Sequence, residues 1–152
     1  MSRLSKFLLH ANKFTVITNK SLFRPEYVAL IQTDGSYKYE YKISRTAVLY
    51  LNSEKPQFLI KTYLDHTGSH ESEWASIIDG IEYAIKKENG SIELENDNLS
   101  VIRCLITKTP PLNSILKEYY YHTLELSKYM DLLSVRWIPR KFNKADRLFK
   151  LS

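Results

Sequence analysis

A chain of 152 residues, 43% of them hydrophobic, is long enough to bury one sizeable core, and no apolar run approaches the ~20 residues of a membrane span. Its one cysteine, Cys104, excludes an intrachain disulfide and suits a reducing compartment, so an intracellular, cytoplasmic setting is expected. The formal charge of +5 is unevenly placed. Of 22 basic residues, Arg3, Lys6, Lys13, Lys20 and Arg24 precede the first acid, Glu26, which leaves 17 basic residues to face 17 acidic ones in the body.

The basic arm, residues 1–25, admits three readings. It could touch nucleic-acid phosphates. It could be an organelle-targeting peptide, having Arg and Ser but no acid. Or it could pack on the domain through Leu4, Phe7, Leu8, Phe14, Val16 and Ile17, with "FTVIT" (14–18) as a short strand. Residues 26–152 are expected to form one domain.

The body begins with "YVALIQT", whose continuous apolar character marks a buried strand that ends at Asp34. The following Asp-Gly is, in isolation, an ordinary turn signal. "RTAVLYL" (45–51) and "QFLIKTY" (57–63) read as two further strands joined by a hairpin turn at "NSEKP". After the loop "LDHTGSH", in which Thr67 or Ser69 could cap a helix, residues 74, 77, 78, 81, 84 and 85 are apolar at the spacing of one helix face, with Gly90 as the stop. "SIELEND" (91–97) is a short strand and "NLSVIRCLIT" (98–107) a short helix broken by two prolines. A long amphipathic helix is expected over 112–133, a last strand over 134–139, and a last short helix over 143–151. The order β-β-β-α-β-α-α-β-α predicts a mixed sheet with helices on its faces.

Four carboxylates stand at element ends: Asp34, Glu73, Asp97 and Asp146. In sheets of this kind, sites gather at the carboxyl ends of the strands. Like charges brought together there invite hard divalent cations, and Mg²⁺ prefers a few carboxylates plus waters and phosphate oxygens. Two such ions ~4 Å apart can hold the attacking and leaving oxygens of a phosphodiester. Taken singly, each acid is equally well a cap, a turn former or a solvated residue.

Flanking patterns accompany all four. "TDGS" (33–36), "SEWASIIDGIEYA" (72–84), "DNLSVI" (97–102) and "WIPRKFNKADRL" (137–148) resemble, in order and spacing, the motifs of the type 1 ribonuclease H family. The resemblance spans residues 27–151. It implies an α/β ribonuclease H-like fold with a five-stranded mixed sheet flanked by helices, its third strand antiparallel. It also implies an endonuclease that cuts the RNA strand of RNA–DNA hybrids with Mg²⁺, for which Mn²⁺ could substitute. Carried over by motif position, Asp34, Glu73 and Asp97 would be metal ligands and Asp146 the fourth catalytic carboxylate. Ser36, Asn98 and Arg140 would meet the substrate, which is read by shape and 2′-hydroxyls.

The chain also departs from the family pattern. "NKAD" has one residue between Asn143 and Ala145 where the family has two, and one residue fewer turns an α-helix by about 100°. Either Asn143 or Asp146 should therefore sit differently. Leu99 replaces a substrate-contacting Gln, and a shifted register would put Asn96 at the acid position. No His precedes the last Asp, and Arg140 is like the archaeal-type form, which also lacks it. The first hairpin lacks the usual glycines; its Lys38, Lys42 and Arg45 could approach phosphates or simply face solvent. His66 and His70 lack partners spaced for zinc, and Tyr119, Tyr120, Trp74 and Trp137 read as core. Two alternatives stand beside the hybrid nuclease: a catalytically reduced nucleic-acid-binding or assembly subunit that retains the fold, and a DNA-directed nuclease such as a junction resolvase, against which "DGS" and "ADRL" argue. Nothing in the sequence sets the oligomeric state.

Overall fold

In the computed structural model, the described residues are 13–16, for the backbone alone, 28–51 and 55–150. The remainder of the arm, with the outer part of "FTVIT", lies outside them. Strands β1 (Lys13–Val16), β2 (Ala29–Lys38), β3 (Ile43–Tyr50), β4 (Gln57–Tyr63), β5 (Ser91–Asn96) and β6 (Leu132–Trp137) form one sheet in the order β1-β6-β5-β2-β3-β4. Helices α1 (Ser69–Lys86), α2 (Leu99–Thr107) and α3 (Ser114–Ser127) follow the chain between them, and a 3-10 turn (Arg140–Phe142) and a closing 3-10 helix (Lys144–Lys150) end it. No helix among the described residues is long and apolar enough to cross a membrane.

The five expected strands are all present, with β1 as a sixth from the arm, paired antiparallel to β6. Among the five, the antiparallel strand is the second, β3, and not the third. Two consecutive short connections make β2, β3 and β4 alternate in direction, whereas crossovers leave β2, β5 and β6 parallel.

Several boundaries move for local reasons. The cap of α1 is Gly68, without a side-chain bond. Glu71 instead reaches back past the cap to accept from the Thr67 backbone N–H at 3.0 Å, tying the entering loop to the first turn. That helix stops at Lys86 because Glu88, not Gly90, takes the left-handed conformation (φ 57°). Helix α3 ends at Ser127 rather than running to 133, since Leu132 and Leu133 are buried in β6 against β5.

One core cluster joins a sheet face to the helices through Ile31, Val48, Ile77, Ile81, Ile92 and Leu133. Gly80 lets α1 lie close on the sheet, because a Cβ there would come within 2.7 Å of Thr33 Cγ2 and 3.1 Å of Leu94 Cδ1. A smaller cluster of Ala47, Leu49, Ala145 and Leu148 holds the closing 3-10 helix, so that chain end is packed on the sheet as well.

Candidate metal centre

Parallel pairing of β2 with β5 runs from Ala29 opposite Ile92 to Gln32 opposite Glu95 and then stops, while β2 continues to Lys38. The crevice opens where that pairing ends. Asp34 stands on β2 just past it, and Asp97 is the first residue after β5. The Asp34-Gly35 pair is therefore mid-strand and not a turn, and Asp34 does not end its strand. Gly35 serves a different purpose: a Cβ there would press into the Ser72 carbonyl and lie 2.7 Å from Glu73 N. Its bare backbone lets the start of α1 close on the strand and brings Glu73 to Asp34.

One carboxylate oxygen each from Asp34, Glu73 and Asp97 lies within 4.8 Å of the others. Asp146 completes the acidic cluster, close enough to act on both Asp34 and Asp97. Burial, then the Glu73 and Asp97 charges, push Asp34 up to about 9. Burial and then Asp97 push Glu73 up to about 8, against bonds from Gly35 and Asn96 and the nearby Arg140 charge. Asp97 is also raised, chiefly by burial, while Asn143 and Arg140 hold it down. Glu73 Oε2 is buried and has no hydrogen-bond partner. Three convergent carboxylates with an orphaned oxygen suit a hard divalent cation, whose ligands are oxygens.

Amide side chains set the geometry around these acids. Asn96, fully buried, donates to Thr33 O and Thr33 Oγ1 at 3.0 Å each, while its carbonyl oxygen accepts from Asn98 N at 2.7 Å. Asn96 is thus a strut, and the acid position belongs to Asp97. Trp137 Nε1 donates to Asp97 O at 3.1 Å, a polar task beyond its packing on the core. Asn143 donates to Thr33 O at 2.8 Å and to Asp97 Oδ2 at 3.4 Å, and its oxygen accepts from Ala145 N at 3.1 Å. Gln32 ties down the same segment by accepting from Lys144 N at 2.9 Å and donating to Glu95 at 2.9 Å. The sequence reading missed Asn96 and Gln32 as struts, since a lone buried amide carries no spacing signal.

The short "NKAD" spacing does not separate the two residues, because Asn143 precedes the closing helix in extended backbone (φ −88°, ψ 101°) and only Asp146 lies within it. The closing helix is 3-10 over seven residues, longer than such helices usually run, and Asn143 and Asp146 both act on Asp97. Neither residue is displaced from the cluster.

The remaining expected residues divide. Ser36 is half-buried on β2 opposite Arg45, two residues from Asp34 and on the same face. Arg140, in the 3-10 turn, is near enough for its charge to reach Asp97 and Glu73. Asn98 caps α2, accepting from Val101 N at 3.0 Å. Away from the centre, His66 is buried, bonded to Ser44 Oγ at 2.7 Å and stacked on Tyr63, and Tyr119 donates to Glu71 at 3.0 Å. Trp74 and Tyr120 pack edge to face in the core, as expected.

A family model described as "Reverse transcriptase-like" matches residues 32–150. No curated protein matches in sequence. Among solved structures, the chain is similar to ribonuclease H1 from the halophilic archaeon Halobacterium salinarum, with 20% identity, a TM-score of 0.72, and 79% of this chain and 92% of that one covered. It is also similar to the N-terminal ribonuclease H domain of a Mycobacterium tuberculosis protein, at 17% identity and TM-score 0.69, covering 79% and 88%. A third is LC11 ribonuclease H1, isolated from compost, in complex with an RNA/DNA hybrid, at 18% identity and TM-score 0.64, covering 82% and 99%.

Proposed function

The chain belongs to the Reverse transcriptase-like family and has the ribonuclease H-like fold, and from that premise we propose that it is an endonuclease that cuts the RNA strand of RNA–DNA hybrids with two Mg²⁺ ions. The observation that carries this reading is the meeting of Asp34, Glu73 and Asp97 oxygens within 4.8 Å, with Glu73 Oε2 left without a partner. These three residues would hold the cations, with Asp146 beside them. When bound, such ions withdraw charge from a scissile phosphate and lower the pKa of water toward neutrality.

The rest of the work falls to the chain itself. Asn143 donates to Asp97 Oδ2 and so orients that carboxylate, while Asn96 and Gln32 fix the segments that carry it. Arg140 places a positive charge beside the acids, where a phosphodiester would enter. Ser36, on the same face of β2 as Asp34, would meet a ribose hydroxyl. The hybrid held by the structurally similar LC11 ribonuclease H1 supports the choice of substrate. The catalytically reduced alternative drew its support from the shortened last motif, and that support lapses with Asp146 acting on Asp34.

The test uses labelled RNA–DNA hybrid, duplex RNA and duplex DNA, each with Mg²⁺, Mn²⁺ or EDTA. Only the RNA of the hybrid should be cut, and Asp34→Asn or Asp97→Asn should stop it. Robust hybrid binding without cleavage in either metal would overturn the proposal in favour of a binding subunit. Calorimetric titration of Mg²⁺ reports the centre independently of turnover.

A further inference from the structure

Helices α1 and α3 pack side by side, and a groove runs between them. Towards their N-terminal ends it widens to a cavity of about 460 Å³ over Ala75, Ile78, Ile115 and Tyr119. Glu82 and His122 also line its continuation, which passes Ile85 and Leu126 to end at Tyr129. On α1 the lining positions 71, 75, 78, 82 and 85 share one face, as do 115, 119, 122 and 126 on α3. From Glu71 to Ile85 is about 14 residues, or ~21 Å of helix. The metal centre faces another way, since Glu73 stands about 200° of turn around α1 from Glu71.

The floor of the groove is apolar and open, with Ile115 45% exposed and Tyr129 76%. Its inner acids are satisfied by the chain itself. Buried Asp79 accepts from Thr46 Oγ1 at 2.6 Å and Tyr63 Oη at 2.8 Å, and Glu71 accepts from Thr67 N and Tyr119 Oη at 3.0 Å each. The acids nearer solvent differ: Asp65, Glu82 and Glu118 form no ion pair among the described residues. Five carboxylates line the groove against two lysines, Lys61 and Lys86, in a chain whose formal charge is +5. Lys61 is already engaged, at 3.5 Å from Asp79 and over the Tyr63 ring. Like charge turns a phosphate backbone away from such a surface. What matches it is an apolar stripe for the floor with cations on either side, the pattern of a basic amphipathic helix laid into a groove.

We propose that the α1–α3 groove docks a Lys/Arg-rich amphipathic helix of a partner protein. The apolar face of that helix lies on Ile78, Ile115 and Leu126, and its cations pair with Asp65, Glu82 and Glu118. A helix of about four turns fills the groove from end to end. The inference goes beyond the nuclease reading and does not depend on it, because the groove uses none of the residues of the metal centre.

The probe is a synthetic peptide of about 14 residues with leucine at i, i+3, i+4 and i+7 and lysine between, titrated calorimetrically into the full chain in EDTA without nucleic acid. A scrambled peptide of the same composition and one with glutamate for lysine are the controls. The patterned peptide should bind in the micromolar range and the controls at least ~10-fold more weakly. Glu82→Lys/Glu118→Lys should weaken the patterned peptide ~10-fold or more, and Ile115→Asp likewise, with melting and hybrid cleavage as in the parent. Equal binding of the scrambled peptide, or unchanged affinity in the charge-reversed variant, would overturn the inference. So would tighter peptide binding in Arg3→Glu/Lys6→Glu, which would give the groove to the basic arm of this chain. Sedimentation showing a dimer that Ile115→Asp dissolves would give it to a second copy and overturn the inference too. A chain that docks the peptide but never cuts hybrid would uphold the groove and sink the nuclease; one that cuts hybrid but ignores the peptide would do the reverse.

Discussion

Replacing Asp34 with Asn should make the metal-free protein more stable while abolishing its cleavage. Asp34 is 5% exposed and shares its space with Glu73, Asp97 and Asp146, so folding raises its carboxyl from the ordinary 3.8 to about 9. The folded state therefore binds this proton more tightly than the unfolded one. Its stabilising contribution is complete below pH ~3.8 and erodes as pH rises toward ~9. At pH 7 the gap to the ordinary value is about three pH units, each worth ~1.4 kcal/mol, which caps the penalty at ~4 kcal/mol. Asparagine keeps the size without the charge, so a gain of about 2–4 kcal/mol is expected, or ~4–16 °C in Tm for a chain of this length. Thermal melts in EDTA at pH 4, 7 and 9 measure it, and the advantage over the parent should be nearly absent at pH 4. Added Mg²⁺ should narrow the difference at pH 7, because the parent binds the ion in its folded form. An Asn variant no more stable than the parent at pH 7 would refute the argument that unneutralised like charge burdens this cluster.

Other substitutions probe the supports. Gly35→Ala forces a Cβ against the Ser72 carbonyl and Glu73 N; it should cost ~1–3 kcal/mol in urea melts and weaken Mg²⁺ binding by calorimetry. Asn143→Ala removes the bond to Asp97 Oδ2 and the oxygen that receives Ala145 N, and should lower the cleavage rate ~10–100-fold. Tyr63→Phe removes the hydroxyl that donates to the buried Asp79 at 2.8 Å; it should cost ~1–2 kcal/mol near neutrality and leave cleavage unchanged. Burial and Asp79 hold the Tyr63 hydroxyl above its usual 10, so the parent loses this stabilisation as pH climbs past 10 and the two proteins should converge in alkaline melts.

The acids of the centre were legible because the motifs flanking all four kept their order; singly, each would have passed for a cap or a turn former. What escaped the sequence was decided between elements. Gly35 is needed for the approach of α1, not for a turn, and no local pattern distinguishes the two. Leu132 and Leu133 continue the apolar periodicity of α3, yet the neighbouring β5 recruits them into β6. The single-residue deletion in "NKAD" looked like a fault only on the assumption that Asn143 and Asp146 share one helix. Asn143 precedes the closing helix in extended backbone, and that helix is held by packing of Ala145 and Leu148 with Ala47 and Leu49 and by the Lys144 N bond to Gln32.

The four backbone residues of β1 occupy the outer side of β6, where Leu133 and Val135 pair with Val16 and Phe14. A strand without that cover would offer a row of open amides and carbonyls to any passing chain. Pairing with residues 13–16 closes that edge of β6. A shortened chain that begins at residue 26 would keep every carboxylate of the centre and yet self-associate in solution, through β6 pairing with its own kind.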